Sequence, residues 1–362
     1  MSLSARRLLP LAGVLSLLAC TGCIPNVAWL PDSSGFIHSG AEGRQLIHYD
    51  LAARKARVFV QDTGAPTYWP AVSPDGKRVA VARYVQNKDF ANTLEVIVYD
   101  LQGKEVQRST AFRWSAPTGK ANGNLVEAYL CWAPQSEHLI VLAGDNTGIY
   151  DVRNDGLIVI DQAFPFVIGS SPVRPEGDGF LVARPAGDAA LRYTFITWEG
   201  REYDIAMDPV DVGERRDWLQ FPFLYNARWQ GNTAVVTHAA EELRLDTVKR
   251  WGAFQGGQPR ESAAGEQLQQ VVFANGSVLR VQSYLVRSGT NDVNENTYTR
   301  TEWLERPGAK PCVLVDRSEA TLVFPAPNRR LVALRCSPQG KGHVILVVNE
   351  QGEIVAEVPG DK

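Results

Sequence analysis

Residues 71–83 read AVSPDGKRVAVAR, and this stretch decides the fold. Its centre, Pro74-Asp75-Gly76, has turn chemistry, because proline presets φ, aspartate caps the turn with its side chain and glycine accepts a positive φ. Apolar and β-branched residues flank that centre, which is typical of two strands joined by a short turn. The stretch therefore predicts a β-hairpin.

The same turn followed by an apolar strand occurs seven times along the chain. In the better-preserved units a second hairpin follows, such as Leu94–Leu101 with Val106–Ser109. Four short strands in a unit of about 40–50 residues predict a β-propeller. We predict an all-β chain with a single β-propeller over residues 27–362, of seven four-stranded blades, although six or eight blades would also fit the spacing. The residues aligned at the turn are Pro31, Pro74, Pro134, Pro175, Gln230, Ala274 and Pro327.

The repeat also resembles that of a known family. Val72-Ser73-Pro74-Asp75-Gly76, followed by a strand and by Tyr99-Asp100-Leu101, resembles the WD40-like PD40 repeat of TolB-type bacterial propellers. Residues 27–108 carry the resemblance well, residues 128–206 and 320–358 carry it in part, and residues 222–316 match mainly by spacing. The resemblance implies a platform that binds proteins or peptides. It does not extend to the separate α/β domain of TolB, because the first repeat already begins at residue 27.

The first 19 residues predict a secretory signal peptide, because the basic pair Arg6-Arg7 precedes an apolar run that is too short to span a bilayer. Leu17-Leu18-Ala19-Cys20 resembles the bacterial lipobox, which implies that Cys20 is acylated after cleavage. Residues 20–26 would then be an acylated tether, and several lipid chains would hold the protein on a membrane. The alternative is an ordinary cleaved signal beside an incidental cysteine.

This leader predicts where the protein resides. We expect a bacterial cell-envelope protein that is lipid-anchored and faces the periplasm. Thr21 follows Cys20, where aspartate would favour the inner membrane, so the sequence favours the outer membrane.

Charge and cysteine content narrow the class of partner. The chain has 37 Lys and Arg against 40 Asp and Glu, and removing residues 1–19 takes away two arginines. A mildly acidic chain without a basic block argues against a nucleic-acid partner. The sequence leaves open whether Cys131, Cys312 and Cys336 are paired. Because no cysteine spacing typical of a metal site occurs, we expect neither a metal nor another cofactor.

Propeller geometry places the predicted long segments on one face, and long loops on a rigid scaffold often carry function. Trp114, Arg215, Arg216 and Trp218 combine charge with aromatic surface, as contact hot spots do, so we predict that they touch a partner. The alternative is that the tryptophans fold back onto a blade. By this register, residues 109–127, 207–221 and 252–267 connect successive blades, and residues 85–92 and 287–297 are loops within a blade.

Motifs for catalysis are scarce in this sequence. It has no Gly-x-Ser-x-Gly elbow, and its five histidines (His38, His48, His138, His238 and His343) fall in different blades or turns and are expected to be surface or partly buried residues. We therefore predict no catalytic residue and a non-enzymatic scaffold that binds a protein or peptide. Two alternatives stay open: a propeller enzyme acting on a glycan, as a lyase or glycosidase, and a solute- or glycan-binding lipoprotein.

Overall fold

The computed structural model describes most of the chain beyond the predicted tether. It contains 28 β-strands, and the described residues form no α-helix. These residues are 27–40, 43–64, 67–86, 92–114, 128–143, 146–161, 164–165, 172–186, 190–211, 226–238, 241–256, 268–287, 297–338 and 343–359.

The strands form seven antiparallel four-stranded blades in chain order, which confirms the predicted propeller. Within a blade the strands A to D lie side by side in sequence order. The A strand of blade 2 contacts the A strands of blades 1 and 3, so A strands surround the axis and D strands form the rim. Blade 1 has β1 (Val27–Trp29), β2 (Gly35–Ser39), β3 (Leu46–Asp50) and β4 (Lys55–Val60); blade 2 has β5 (Thr67–Val72), β6 (Arg78–Gln86), β7 (Asn92–Asp100) and β8 (Glu105–Trp114); and blade 3 has β9 (Ala128–Trp132), β10 (His138–Ala143), β11 (Asn146–Asp151) and β12 (Gly156–Asp161). Blade 4 has β13 (Phe164–Pro165), β14 (Gly179–Pro185), β15 (Ala190–Thr197) and β16 (Glu202–Asp204), with the short β17 (Val210–Asp211) beside β15, and blade 5 has β18 (Asn226–Gln230), β19 (Thr233–His238), β20 (Glu241–Asp246) and β21 (Trp251–Gly256). Blade 6 has β22 (Leu268–Val272), β23 (Val278–Arg287), β24 (Thr297–Glu305) and the first half of β25 (Cys312–Pro325), and blade 7 has the second half of β25 with β26 (Leu331–Pro338), β27 (Val344–Asn349) and β28 (Ile354–Pro359).

Strand β25 belongs to two blades. Its first half pairs with β24, ending at the pair Arg300 and Ser318, and its second half pairs with β26 from Thr321 onward. The register shifts between Ser318 and Thr321, where the chain passes from the rim of blade 6 to the centre of blade 7. Blades 6 and 7 therefore share one continuous strand.

Each A–B turn and each C–D turn contains one residue with positive φ. This fourteenfold repetition is the clearest local sign that the seven units share one backbone. Six of these residues are charged or are serines, so the turn geometry is kept even where glycine is missing. The A–B residues are Ser33, Gly76, Ser136, Gly177, Gly231, Gly276 and Arg329, and the C–D residues are Arg54, Gly103, Asp155, Gly200, Arg250, Gly308 and Gly352.

We expect Arg54→Gly to raise the free energy of unfolding by about 0.5 kcal/mol. Arg54 has φ of 51°, where a side chain is strained, although the glycine also gains freedom in the unfolded chain. Gly308→Ala is the matched control, because Gly308 has φ of 71° and an added Cβ would meet nothing within 4 Å. It should lose about 1 kcal/mol in urea denaturation. Equal midpoints for the two variants would contradict this explanation.

Apolar side chains from adjacent blades form the core. Separate buried clusters join blades 1 and 2, 2 and 3, 3 and 4, 4 and 5, 6 and 7, and 7 and 1. Alternation along each B strand sends one set of side chains to the preceding blade and the other to the following blade. In β2, for example, Phe36 packs toward blade 7 and Ile37 toward blade 2.

The ring closes between blades 7 and 1 by side-chain packing. Among the described strands, blade 7 takes all of its strands from the C-terminal part of the chain, so no N-terminal strand completes it. Trp29 Nε1 donates to Phe324 O at 2.9 Å, and Asn328 N donates to Ser33 Oγ at 3.2 Å. Trp29 and Phe36 also pack edge to face, with centroids 5.4 Å apart, within the cluster of this interface.

Candidate functional site

The two faces of the propeller differ in construction. The turn face carries the A–B and C–D turns, and the loop face carries the B–C loops and the D–A connections. Turns of neighbouring blades are joined by hydrogen bonds: Asp75 N donates to Ser136 Oγ at 3.1 Å, and Gln135 Nε2 donates to Gly177 O at 2.9 Å. The turn face thus uses its polar groups to hold blades together.

Arg174 shows how a charged residue of the turn face is used. Its Nε donates to Asp178 Oδ1 at 2.8 Å, and its Nη1 donates to Thr247 Oγ1 of blade 5 at 3.2 Å. The guanidinium also lies over the ring of Phe195, 4.8 Å from the centroid. Because its donors are aimed at the protein itself, Arg174 holds blades 4 and 5 together.

The predicted contact residues are only partly covered by the structure. Cys20, Arg215, Arg216 and Trp218 lie outside the described residues. The loop position predicted for Trp114 is wrong, because Trp114 ends strand β8 and pairs with Asn92. A register shift between Leu94 and Glu95 allows this ladder to continue. Contact of these residues with a partner stays a prediction.

The predicted loop bounds are also too wide. Residues 109–114 belong to β8 and residues 252–256 to β21, and β17 falls within residues 207–221. The segments 85–92 and 287–297 likewise begin and end inside strands. The sequence predicts loops that are too long here because the strand ends extend beyond the packed part of the blade, where they carry polar residues as loops do.

Buried polar groups mark the loop-face ends of blades 7, 1 and 2. Between blades 1 and 2, Arg83 of β6 faces blade 1, as Val79 and Val81 do on the same strand. Its Nε donates to Glu95 Oε2 at 2.8 Å, and its Nη1 donates to Thr63 O. Thr63 Oγ1 in turn donates to Arg44 O at 2.9 Å. Arg83 therefore holds the connection that follows β4 against blade 2.

A serine and a histidine meet at the loop-face end of blade 7. Ser337 Oγ contacts His343 Nδ1 across the base of the β26–β27 hairpin, and Ser337 N donates to Ser318 Oγ at 3.0 Å. A serine beside an imidazole is one part of a nucleophilic site, but the nucleophile must also reach its substrate. Ser337 is only 6% exposed, so a substrate would not reach it, and the pair instead stabilises the hairpin.

His38 is fully buried in the interface that closes the ring, so the expected surface or partly buried position is wrong for this histidine. It is 1% exposed and lies on β2 two residues after Phe36, which places it on the side facing blade 7. Its Nδ1 lies 3.0 Å from Ser39 O, and its Nε2 has no hydrogen-bond partner. Burial lowers the pKa of His38 to about 4, so the imidazole is neutral at pH 7.

Arg335 of β26 approaches the same interface from blade 7, because it shares a strand side with Ala333 of the closure cluster. The sequence reading missed these buried arginines. The available signal is that the second strand of three units carries an arginine directly after small or apolar residues. The three stretches are Val81-Ala82-Arg83, Val182-Ala183-Arg184 and Ala333-Leu334-Arg335.

The described residues also bear on metal, thiol and membrane chemistry. Within them, no group of three or more His, Cys, Asp or Glu side chains is arranged to hold a metal ion. Cys131, Cys312 and Cys336 form no disulfide within the described part of the chain. In the same residues, no helix has the length and apolar character needed to cross a membrane.

No protein-family model and no curated protein matches the sequence. Solved structures similar to this chain include the hydrazine synthase of Kuenenia stuttgartiensis, at 12% identity over 93% of this chain and 87% of that chain, with a TM-score of 0.42. Another is a mitotic checkpoint complex, at 10% identity over 89% of this chain and 86% of that chain, with a TM-score of 0.47. The seven-bladed fold rests on the strand pairing and turn geometry of this chain itself.

Proposed function

We propose that this protein is a membrane-anchored propeller of the bacterial cell envelope, which acts as a non-enzymatic scaffold and binds a protein or peptide on its loop face. The observation that carries the proposal is the position of β1. This strand begins at Val27 and runs into the A–B turn at residues 30–34, so its start lies at the loop face. Cys20, the proposed lipidation site, is seven residues earlier.

The tether length sets the geometry. Seven residues reach about 25 Å at most, so an anchor at Cys20 would keep the loop face or its edge close to the bilayer. A partner that is itself held at the membrane would meet this face first. The turn face would point away from the bilayer, and its polar groups already join neighbouring blades.

The buried polar groups at the loop-face ends of the blades also support a binding role for the protein. Arg83, Glu95 and Thr63 are engaged with one another, and Ser337 is closed to solvent. Such groups make a stiff platform, on which exposed loops can present side chains to a partner. The proposed resemblance to TolB-type propellers agrees with this use of the fold.

Cys20→Ala tests the anchor. We expect the wild type in the membrane fraction and Cys20→Ala in the soluble periplasmic fraction, because loss of the acyl chains removes the anchor. Cys23→Ala is the matched control and should stay with the membrane. If Cys20→Ala remains in the membrane fraction, the lipid-anchor proposal is wrong.

A photo-crosslinking residue tests the scaffold. Placed at Arg44, an exposed loop-face position of blade 1, it should give a discrete protein adduct in intact cells. At Lys77, an exposed turn-face position of blade 2, it should give none. The Arg44 adduct should weaken when Cys20→Ala is added. A purified protein that carries a glycan or small molecule, with no protein adduct at Arg44, would refute the scaffold proposal.

A further inference from the structure

The rim of the propeller presents seven outer strands, and their edges differ. An outer strand exposes unpaired backbone groups that can accept another strand, so natural proteins protect such edges with charges, short strands, bulges or coverings. Six of the seven outer strands, as the structure describes them, have at least one of these protections. Strand β12 of blade 3 has none of them before the aspartate that ends it.

The protections of the other six strands are specific. The outer strands of blades 1, 2, 6 and 7 each contain charged residues and a register shift in their own blade. The outer strand of blade 4, β16, has three residues, of which Glu202 and Asp204 are charged. The outer strand of blade 5, β21, is covered, because Ala206 N donates to Arg250 O at 2.7 Å and Gly252 N donates to Ala206 O at 3.2 Å.

Strand β12 reads Gly-Leu-Ile-Val-Ile-Asp over residues 156–161. It pairs with β11 through six consecutive positions without a register shift, and it is the end strand of its sheet. Ile158 is 42% exposed and Val159 is 50% exposed. The strand is thus regular, apolar and uncharged up to its last residue.

The charge at one end of β12 indicates what would bind. Asp155 directly precedes the strand, and Asp151 pairs with its first residue, Gly156. Hydrogen bonds from Asn154 to Asp151 and from Tyr150 to Asp155 keep the pKa of both carboxyl groups below the usual value, so both are ionised at neutral pH. These hydrogen bonds come from uncharged groups and add no positive charge beside either carboxylate, while His138, paired with Asp151 across β10 and β11, interacts electrostatically with Asp151. An arriving strand with basic residues at this end would be favoured.

A second copy of the chain fits this edge poorly. Antiparallel pairing of two β12 strands about a twofold axis would bring Asp155 of one copy beside Asp161 of the other, and like charges on paired strands are destabilising. We propose that β12 is a docking edge for an extended segment of a partner protein, with alternating apolar residues and a basic C-terminal end, added antiparallel to blade 3. This site is on the rim and goes beyond the loop-face binding proposed above.

A defined peptide tests the docking edge. The probe is acetyl-Thr-Val-Thr-Val-Thr-Val-Lys-Lys-amide, and its control carries N-methyl groups on every threonine and valine. We expect the probe to bind the mature protein and to slow hydrogen exchange at residues 157–160. The N-methylated peptide should not bind, because strand addition depends on backbone hydrogen bonds.

Val159→Lys should weaken binding by roughly tenfold or more, because a lysine on an edge strand blocks strand addition. Val58→Lys is the matched control, since Val58 is 51% exposed on β4, an outer strand that already carries charges. It should bind within about twofold of the wild type, and both variants should keep the wild-type unfolding midpoint.

Three results would overturn the inference. They are no measurable binding of the probe to the wild type, equal binding to the two lysine variants, and a wild-type dimer in sedimentation that Val159→Lys dissociates. The two proposals are tested separately. If the crosslinked adduct at Arg44 still forms in Val159→Lys, the loop-face function is retained, and the peptide binding alone decides the β12 proposal.

Discussion

Replacing Trp29 with alanine is expected to lower the free energy of unfolding by about 3–5 kcal/mol and to loosen the propeller between blades 7 and 1. Trp29 is 9% exposed, packs on Phe36 and donates to Phe324 O. The closure has no exchanged strand, so side-chain packing and a few hydrogen bonds hold it. Removal of the largest side chain from this interface therefore leaves a cavity where the chain offers no other connection.

Trp132→Ala is the matched control for Trp29→Ala. Trp132 occupies the corresponding place in blade 3 and donates from Nε1 to Ala71 O of blade 2 at 2.9 Å. Its neighbours are consecutive blades, which the chain keeps together. We expect both variants to lose similar stability in urea, but only Trp29→Ala to gain fast hydrogen exchange in β1 and β28. Fast exchange in the same strands of both variants would contradict a weak closure.

Acid is expected to destabilise the protein through His38. The folded pKa of about 4 lies below the unfolded value of about 6.5, so the unfolded chain binds the extra proton between these values. Stability is therefore complete above pH 6.5 and is lost as pH falls toward 4. From pH 7.5 to pH 5 this one group should remove about 2 kcal/mol. Arg335 of blade 7 is buried at the same interface.

The measurement compares urea midpoints at pH 7.5 and pH 5 for the wild type and His38→Leu. Leucine cannot titrate and fills the apolar interface, so the variant should lose much less stability on acidification. At pH 5 the carboxyl groups with lowered pKa, such as Asp32 and Asp75, remain ionised and contribute little to the difference. The pKa of His48 is also lowered by burial, but His48 is present in both proteins and cancels. Parallel losses in the wild type and His38→Leu would show that His38 does not control acid stability.

The repeat was predictable from sequence because turn chemistry is local. A turn such as Pro74-Asp75-Gly76 needs only a few consecutive residues to set its backbone, and the apolar strand after it follows at a fixed offset. Seven such turns favoured seven blades over the six or eight that the spacing also allowed. The acidic residue that ends several third strands is equally local. Asp100, for example, accepts from Gln102 N and Lys104 N and so shapes the C–D turn.

Other features could not be read from single residues. Arg54, Arg250 and Arg329 hold positive φ without the usual glycine signal, because hydrogen bonding in the hairpin imposes the turn. Trp114 looked like a loop residue, since polar composition does not reveal how far a ladder continues. The continuous strand β25 joins two blades that the repeat pattern treats as separate.

The sequence by itself determined the repeated hairpin and favoured seven blades, and its leader predicts an envelope lipoprotein, because each of these inferences depends on neighbouring residues along the chain. Only the tertiary structure decided that His38 and Arg335 share the ring closure, that Arg83 holds a connection of blade 1, and that β12 is the unprotected outer strand among those described. These features arise between strands far apart in sequence. Their burial and exposure follow from which blades meet, and local composition does not encode that.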